Sequence, residues 1–244
     1  MTTPSQPFAR LVFTGAVAVA AVLTAAAAAQ VPLENEPHHR VVFQNSELRV
    51  LDVRVASGEA TLDHRHDYDI VTVSMGQGTR TRTQAPGEPW SDVRPVRPLG
   101  DATVAEYAGK PASHRIENVG DTPYQLFAVE NRRASGWPPA PAPLSALATT
   151  MTADARAFRI YDVRLAGAAP QSSHTHAVPT IAVLISGIVM SEGPDSQAKA
   201  NAPAPVGLKR LDQSGQWVLV PRGDSHALVR LGTQDARLIE IEIR

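Results

Sequence analysis

The chain has 244 residues, with 23 Lys and Arg against 24 Asp and Glu, a formal net charge of -1, 43% hydrophobic residues and no cysteine. That length and apolar content suit one large or two small packed domains, and the charge balance offers neither a basic field for nucleic acid nor an acidic tail. Without thiolates there are no disulfides and no cysteine-held metal, so any metal site must be built from imidazole and carboxylate.

In chain order, the first ten residues, "MTTPSQPFAR", carry one charge, Arg10. "LVFTGAVAVAAVLTAAAAA" then runs uncharged to Ala29. A basic start, an apolar middle and small residues at the end predict a signal peptide over residues 1–29, cut after Ala29, and a periplasmic or secreted protein. The alternative is an uncleaved anchor. The uncharged run could just span a bilayer, but its Ala, Gly and Thr make it weakly hydrophobic. Nothing later is long enough to cross, so no stable membrane span is expected after cleavage. His38 and His39 follow and are expected to be solvated. Short β-branched runs bounded by turn residues come next, among them "ELRVLDVRVASG", "DIVTVSMG" and "YQLFAVEN". Arg132 to Thr150 contains Pro138, Pro139, Pro141 and Pro143 and reads as a linker, centred on residues 134–147. The strand pattern then resumes with "AFRIYDVRLAG", "TIAVLISG" and "ARLIEIEI". No stretch past residue 29 holds a 3.6-residue period over three turns. The prediction is an all-β chain with domains at 36–133 and 148–244.

The two domains are copies. At a shift of 110, Arg49, Asp52, Val53, Arg54, Ala56, His64 and His66 match Arg159, Asp162, Val163, Arg164, Ala166, His174 and His176. At a shift of 112, Ser113, His114, Gly120, Leu126, Glu130 and Arg132 match Ser225, His226, Gly232, Leu238, Glu242 and Arg244. Six of the eight histidines therefore fall in equivalent places, three per copy. On a strand, residues i and i+2 share a face. "HRH" and "HTH" thus each present two imidazoles to one side, and His114 or His226 can bring a third from a distant strand. Three converging neutral imidazoles suit a divalent first-row metal. A lone pair of histidines on a strand would more often be a solvated polar face; the matched third histidine in each copy favours metal.

These residues resemble the cupin superfamily, whose motifs read G-x5-H-x-H-x3,4-E-x6-G and G-x5-P-x-G-x2-H-x3-N. Gly58, His64, His66 and Gly76 fit the first motif, and His114 and Asn118 fit the end of the second. In the second copy His174, His176 and Gly187 fit the first motif, and Gly215, Pro221, Gly223 and His226 fit the second. Asp69 stands near the place of the family's Glu, one residue too close to His66, with Asp67 as the fallback; Thr180 stands there in the second copy. The resemblance implies a bicupin of two tandem antiparallel jelly-roll barrels, with Gly76, Gly187 and Gly223 at tight turns. It implies metal ligands His64, His66, Asp69 and His114 in one copy and His174, His176 and His226 in the other, holding Fe, Mn, Zn, Cu or Ni.

Two functions fit that resemblance. One is a metal-dependent dioxygenase acting on a small oxygen-rich substrate, with the first copy catalytic. The other is a non-catalytic periplasmic binder of a metal or small ligand. No catalytic residue is singled out: Tyr68, Glu106 and Tyr107 lie near the motifs, and each reads equally as structural. Trp217 reads as core. The expected partner is a small molecule, with a homodimer also allowed. Because Asp69 is an acid and Thr180 an alcohol, the first site is expected to suit harder cations such as Mn(II), and the second Zn or Cu.

Overall fold

The computed structural model describes residues 30–133, 143–144, 149–167, 173–194 and 206–244. The segment expected to be a signal peptide, and all but two residues of the expected linker, lie outside these. The first copy contains β1 (Val31–Pro32), a 3-10 turn over Leu33–Asn35, β2 (His39–Gln44), β3 (Leu48–Val55), β4 (His64–His66), β5 (Asp69–Ser74), β6 (Thr81–Gln84), β7 (Ala102–Ala105), β8 (Ala112–Asn118) and β9 (Tyr124–Asn131). The second contains β10 (Thr149–Asp154), β11 (Phe158–Leu165), β12 (His174–Thr175), β13 (Thr180–Ser186), β14 (Val189–Pro194), β15 (Val206–Leu211), β16 (Trp217–Val220), β17 (Ser225–Arg230) and β18 (Ala236–Ile243).

Each copy forms one five-stranded and one four-stranded sheet, and none of these sheets closes on itself. The five-stranded sheets run β2-β3-β9-β5-β7 and β10-β11-β18-β13-β16, in the same order. The smaller sheets run β1-β4-β8-β6 and β12-β17-β14-β15. Their shared part, β4-β8-β6 against β12-β17-β14, repeats as well. The pairing that matters is β4 with β8 and β12 with β17, because its register sets His64 opposite His114 and His174 opposite His226.

The five-stranded sheets are apolar on both faces. In β3, Leu51 and Val53 join a cluster with Ile70, Leu126 and Ala128 that faces the small sheet. Leu48 and Val50 face the other way, into a core shared with Phe158, Ile160, Ile181, Trp217 and Ile241 of the second copy. Burial on both faces explains why "TIAVLI" reads as a near-continuous apolar run; "RLIEIEI" alternates instead, with Glu240 and Glu242 buried on the face turned to the small sheet. Gly187 sits at φ 83 beneath Ala236, where a Cβ would lie 2.7 Å from the Ala236 backbone, and Gly223 sits at φ 82. Both meet the need for a left-handed turn residue. Gly76 does not share that conformation; what confines it is the Pro123 carbonyl, 3.2 Å from where its Cβ would lie.

Candidate metal centres

In the first copy the three histidines close into a triangle between the two sheets. Ring centroids lie 5.0 Å apart for His64–His66, 4.8 Å for His64–His114 and 4.9 Å for His66–His114. One ring nitrogen from each lies within 4.8 Å of the others. His64 Nδ1 sits 2.9 Å from the Leu62 carbonyl, which only an N–H can satisfy, so Nε2 is left as a bare acceptor. That Nε2 is buried without a partner, as are both ring nitrogens of His66. Buried unpaired acceptors cost free energy, and a cation at their focus removes that cost. Burial, with mutual repulsion among the imidazoles, pushes their pKa values down, to about 4 for His64, about 2 for His66 and about 3 for His114. All three are neutral, as metal ligands must be.

The second triangle has nearly the same size, with centroids 4.9, 4.5 and 5.1 Å apart. Here the nitrogens themselves converge. His174 Nε2 lies 3.2 Å from His176 Nε2, which lies 3.1 Å from His226 Nε2, which lies 3.0 Å from the first. Ligands of one tetrahedral ion with bonds of about 2.0–2.1 Å stand roughly 3.3 Å apart. A fourth donor completes the set. Glu240 Oε1 is 3.7 Å from His174 Nε2 and 3.5 Å from His226 Nε2, and Oε2 is 3.9 Å from His176 Nε2. Glu240 is wholly buried, and its oxygens face the three Nε2 atoms at 3.5–3.9 Å. Behind it, His176 Nδ1 lies 3.0 Å from Glu242 Oε1, so Nδ1–H donates and Nε2 is bare. The residues fit a four-ligand ion.

The carboxylate expected in the first site is therefore found in the second, on a different strand. The strand registers explain why. Asp69 begins β5, and its neighbour Ile70, not Asp69, belongs to the inward-facing cluster. One residue too few between His66 and the acid turns the acid to the opposite face. Asp69 Oδ1 instead accepts from Ala108 N–H at 2.8 Å, and Oδ2 from Arg156 of the second copy at 2.7 Å. Asp67 pairs with Arg65 in solvent. In the second copy Thr180 does face inward, but its hydroxyl donates to the Val178 carbonyl. The acid comes from β18. Leu51 pairs with Ala128 and Tyr161 with Glu240, so Glu240 occupies the place that Ala128 holds in the first copy.

Other residues gather around the first triangle. His39, expected in solvent, is buried, with its ring 4.7 Å from that of His64 and Nδ1 hydrogen-bonded to Glu36. Burial alone would raise the Glu36 pKa, but bonds from His39, His38 and the Leu62 N–H hold it at about 2. Tyr107 stacks on His66 at 4.7 Å, and the Asp69–Ala108–Arg156 bonds brace its loop. Glu106 is exposed. Tyr68 lies under the Arg132 guanidinium. The first triangle borders a cavity of about 220 Å³ reached from outside, lined also by Thr72, Arg94, Arg97, Tyr107 and Tyr124.

No family model matches this sequence, and no curated protein matches it. Solved structures do. AerE from Microcystis aeruginosa superposes with a TM-score of 0.58 at 17% identity, over 86% of this chain and 98% of that one. A cupin 2 conserved barrel domain protein from Leptotrichia buccalis gives 0.52 at 8% identity, over 84% and 88%. Salicylate 1,2-dioxygenase from Pseudaminobacter salicylatoxidans gives 0.54 at 11% identity, over 81% and 71%, and oxalate decarboxylase from Bacillus subtilis, described with Mn(II) centres, is also similar. The fold is cupin-like. These cupin neighbours include a dioxygenase and a decarboxylase, and at such identities they show the fold alone. Among the described residues no helix is long and apolar enough to cross a membrane.

Proposed function

We propose that this chain is an exported bicupin, with one cupin barrel per copy, whose first copy is a metal-dependent enzyme of dioxygenase type acting on a small oxygen-rich molecule. The observation that carries this reading is the difference between the triangles. The first has three imidazoles, no carboxylate among the described residues and a cavity beside it. The second has four protein donors, three of them buried to 1% exposure or less. For a tetrahedral ion such as zinc, four protein ligands close the site and hold structure, while three leave an open position for chemistry. Export rests on the composition of residues 1–29. The metal belongs to the Fe, Mn, Zn, Cu or Ni group that imidazole binds.

When bound at His64, His66 and His114, a metal would polarise a substrate oxygen and lower the pKa of bound water. The chain supplies the rest. The Leu62 carbonyl fixes the His64 tautomer, and Tyr107 holds the His66 ring by stacking. Ile70, Leu126 and Ala128 exclude water from one wall of the cavity.

The test is metal per chain on purified protein, then dioxygen uptake with catechols, flavonols and oxalate. His64→Ala and His114→Ala should each abolish turnover and remove one equivalent of metal. His176→Ala should remove the other equivalent and lower the melting temperature, with turnover by the remaining folded protein close to the parent's. Equal loss of activity from both sets would refute the division of labour. Full metal and turnover in His64→Ala would refute the first site.

A further inference from the structure

The segment after β6 doubles back along the small sheet. Ser91 N–H donates to the Thr83 carbonyl at 2.8 Å and Arg94 N–H to the Thr81 carbonyl at 2.7 Å. This strap carries two arginines to the cavity, and their fates differ. Arg97 is spent: Nε reaches Asp101, Nη1 the Thr72 hydroxyl, and Nη2 the Thr72 and Asp101 carbonyls. Among the described residues the side chain of Arg94, an exposed residue, gives one hydrogen bond, from Nη2 to Thr83 Oγ1 at 3.0 Å. Among the described residues no carboxylate pairs with it. A guanidinium has five donors in a planar fork suited to a carboxylate.

Among the described residues the cavity that Arg94 lines has no acidic one; its charged and titratable side chains there are two arginines, two tyrosines and four histidines. Where the second site has Glu240, this one has Ala128. Asp101 meets the charge of Arg97, so Arg94 brings the cavity its uncompensated positive charge, to which a metal would add, and such a charge attracts anions. The remaining wall is apolar, with Val53, Ile70, Ile116 and Leu126. At about 220 Å³ the cavity is smaller than the ~300–1,000 Å³ of drug-sized sites.

We propose that the first site takes a small carboxylate with an apolar body, and that Arg94 is the residue that selects it by pairing with the carboxylate. This rests on the reading of the first site given above, and it names that site's ligand class and specificity residue. Benzoate is a suitable probe, with benzamide as its neutral isostere, titrated calorimetrically into the full chain with and without a chelator.

Arg94→Gln should weaken benzoate at least about tenfold, as expected for loss of a charge-assisted pair, and change benzamide less than about twofold. Arg94→Lys should fall between, keeping the charge and losing the fork. Metal content should be unchanged in both variants. Equal weakening of both probes, no weakening of benzoate, or no benzoate binding to the parent protein by ~10 mM would each overturn the proposal. The two readings fail separately. If chelation leaves benzoate affinity intact while Arg94→Gln still weakens it, the carboxylate anchor stands and the metal-dependent reading falls. If metal still depends on His64 but benzoate is indifferent to Arg94, the anchor falls alone.

Discussion

Ala128 and Glu240 occupy one position of a repeated fold, and this single difference sets the charge of each histidine triangle. Glu240→Gln keeps the shape and removes the anion, so metal at the second site should weaken by at least ~100-fold, since a lost ligand outweighs the 10–100-fold cost of a lost outer-shell partner. Metal content measured after dialysis at graded chelator concentration checks this. Asp69→Asn should leave metal content unchanged, because its carboxylate serves Ala108 and Arg156; thermal melts should show a loss of about 1 kcal/mol. The histidines also fix a pH dependence. Burial lowers His64 and His226 to about 4, His114 to about 3 and His66 to about 2, all below the ordinary 6.5. Below pH 6.5 the unfolded chain binds protons that the folded chain refuses, so stability falls as pH falls. On the histidines' account, metal-free protein should therefore be most stable above pH 6.5 and lose melting temperature from pH 6.5 down to about 2, the values of His64 and His226 being passed near 4. His66→Gln should flatten that slope.

At the level of strands, the two copies differ where they meet. Gln125 and Arg237 are equivalent, facing Arg54 and Arg164 on the neighbouring strands. Arg237 reaches from Asp162 at 2.9 Å to the Leu99 carbonyl at 2.8 Å, tying the second copy to the first. Its guanidinium lies over Gly100, where a Cβ would stand 2.7 Å from Nη1. At the other end Gln125 makes no such tie. Among the described residues, chain neighbours apart, a Cβ built on Gly215 would meet Met75 Cε alone, at 3.8 Å, and a cavity of about 290 Å³ remains. Gln125→Arg should restore the missing link and stabilise the protein by about 1 kcal/mol, seen as a rise of roughly 2–4 °C in melting temperature. Arg237→Ala should lower it.

Across the whole molecule, stability is shared. The five-stranded sheets pack on each other through Phe127, Val129, Phe158, Ile160, Trp217 and Ile241, all at 8% exposure or less. Neither copy can keep that face covered alone, and an exposed apolar patch of that kind drives aggregation. Calorimetry should show one cooperative transition for both copies. Phe158→Ala, a fully buried ring, should lower stability by about 3–5 kcal/mol. It should also shift the release of metal from both sites together. Two separated transitions would mean that the shared core does not couple the copies.

The duplication, the strand content and the six histidines were all legible in the sequence, because spacing along a strand fixes which side chains share a face. The pairing of "HRH" with His114 and of "HTH" with His226 followed from the repeat. The fourth ligand did not. Glu240 lies far along the chain from His176, and only strand pairing brings them together; the sole trace in the sequence was an acid in "RLIEIEI" aligned with Ala128. Asp69 was misplaced because a one-residue change inverts a strand's faces, and no motif reveals which way it falls. His39, Arg94 and Tyr107 reach the first site from separate elements, with no common spacing to announce them. Local periodicity determined the elements and the triads, whereas long-range register decided which triad has a carboxylate and which opens on a cavity.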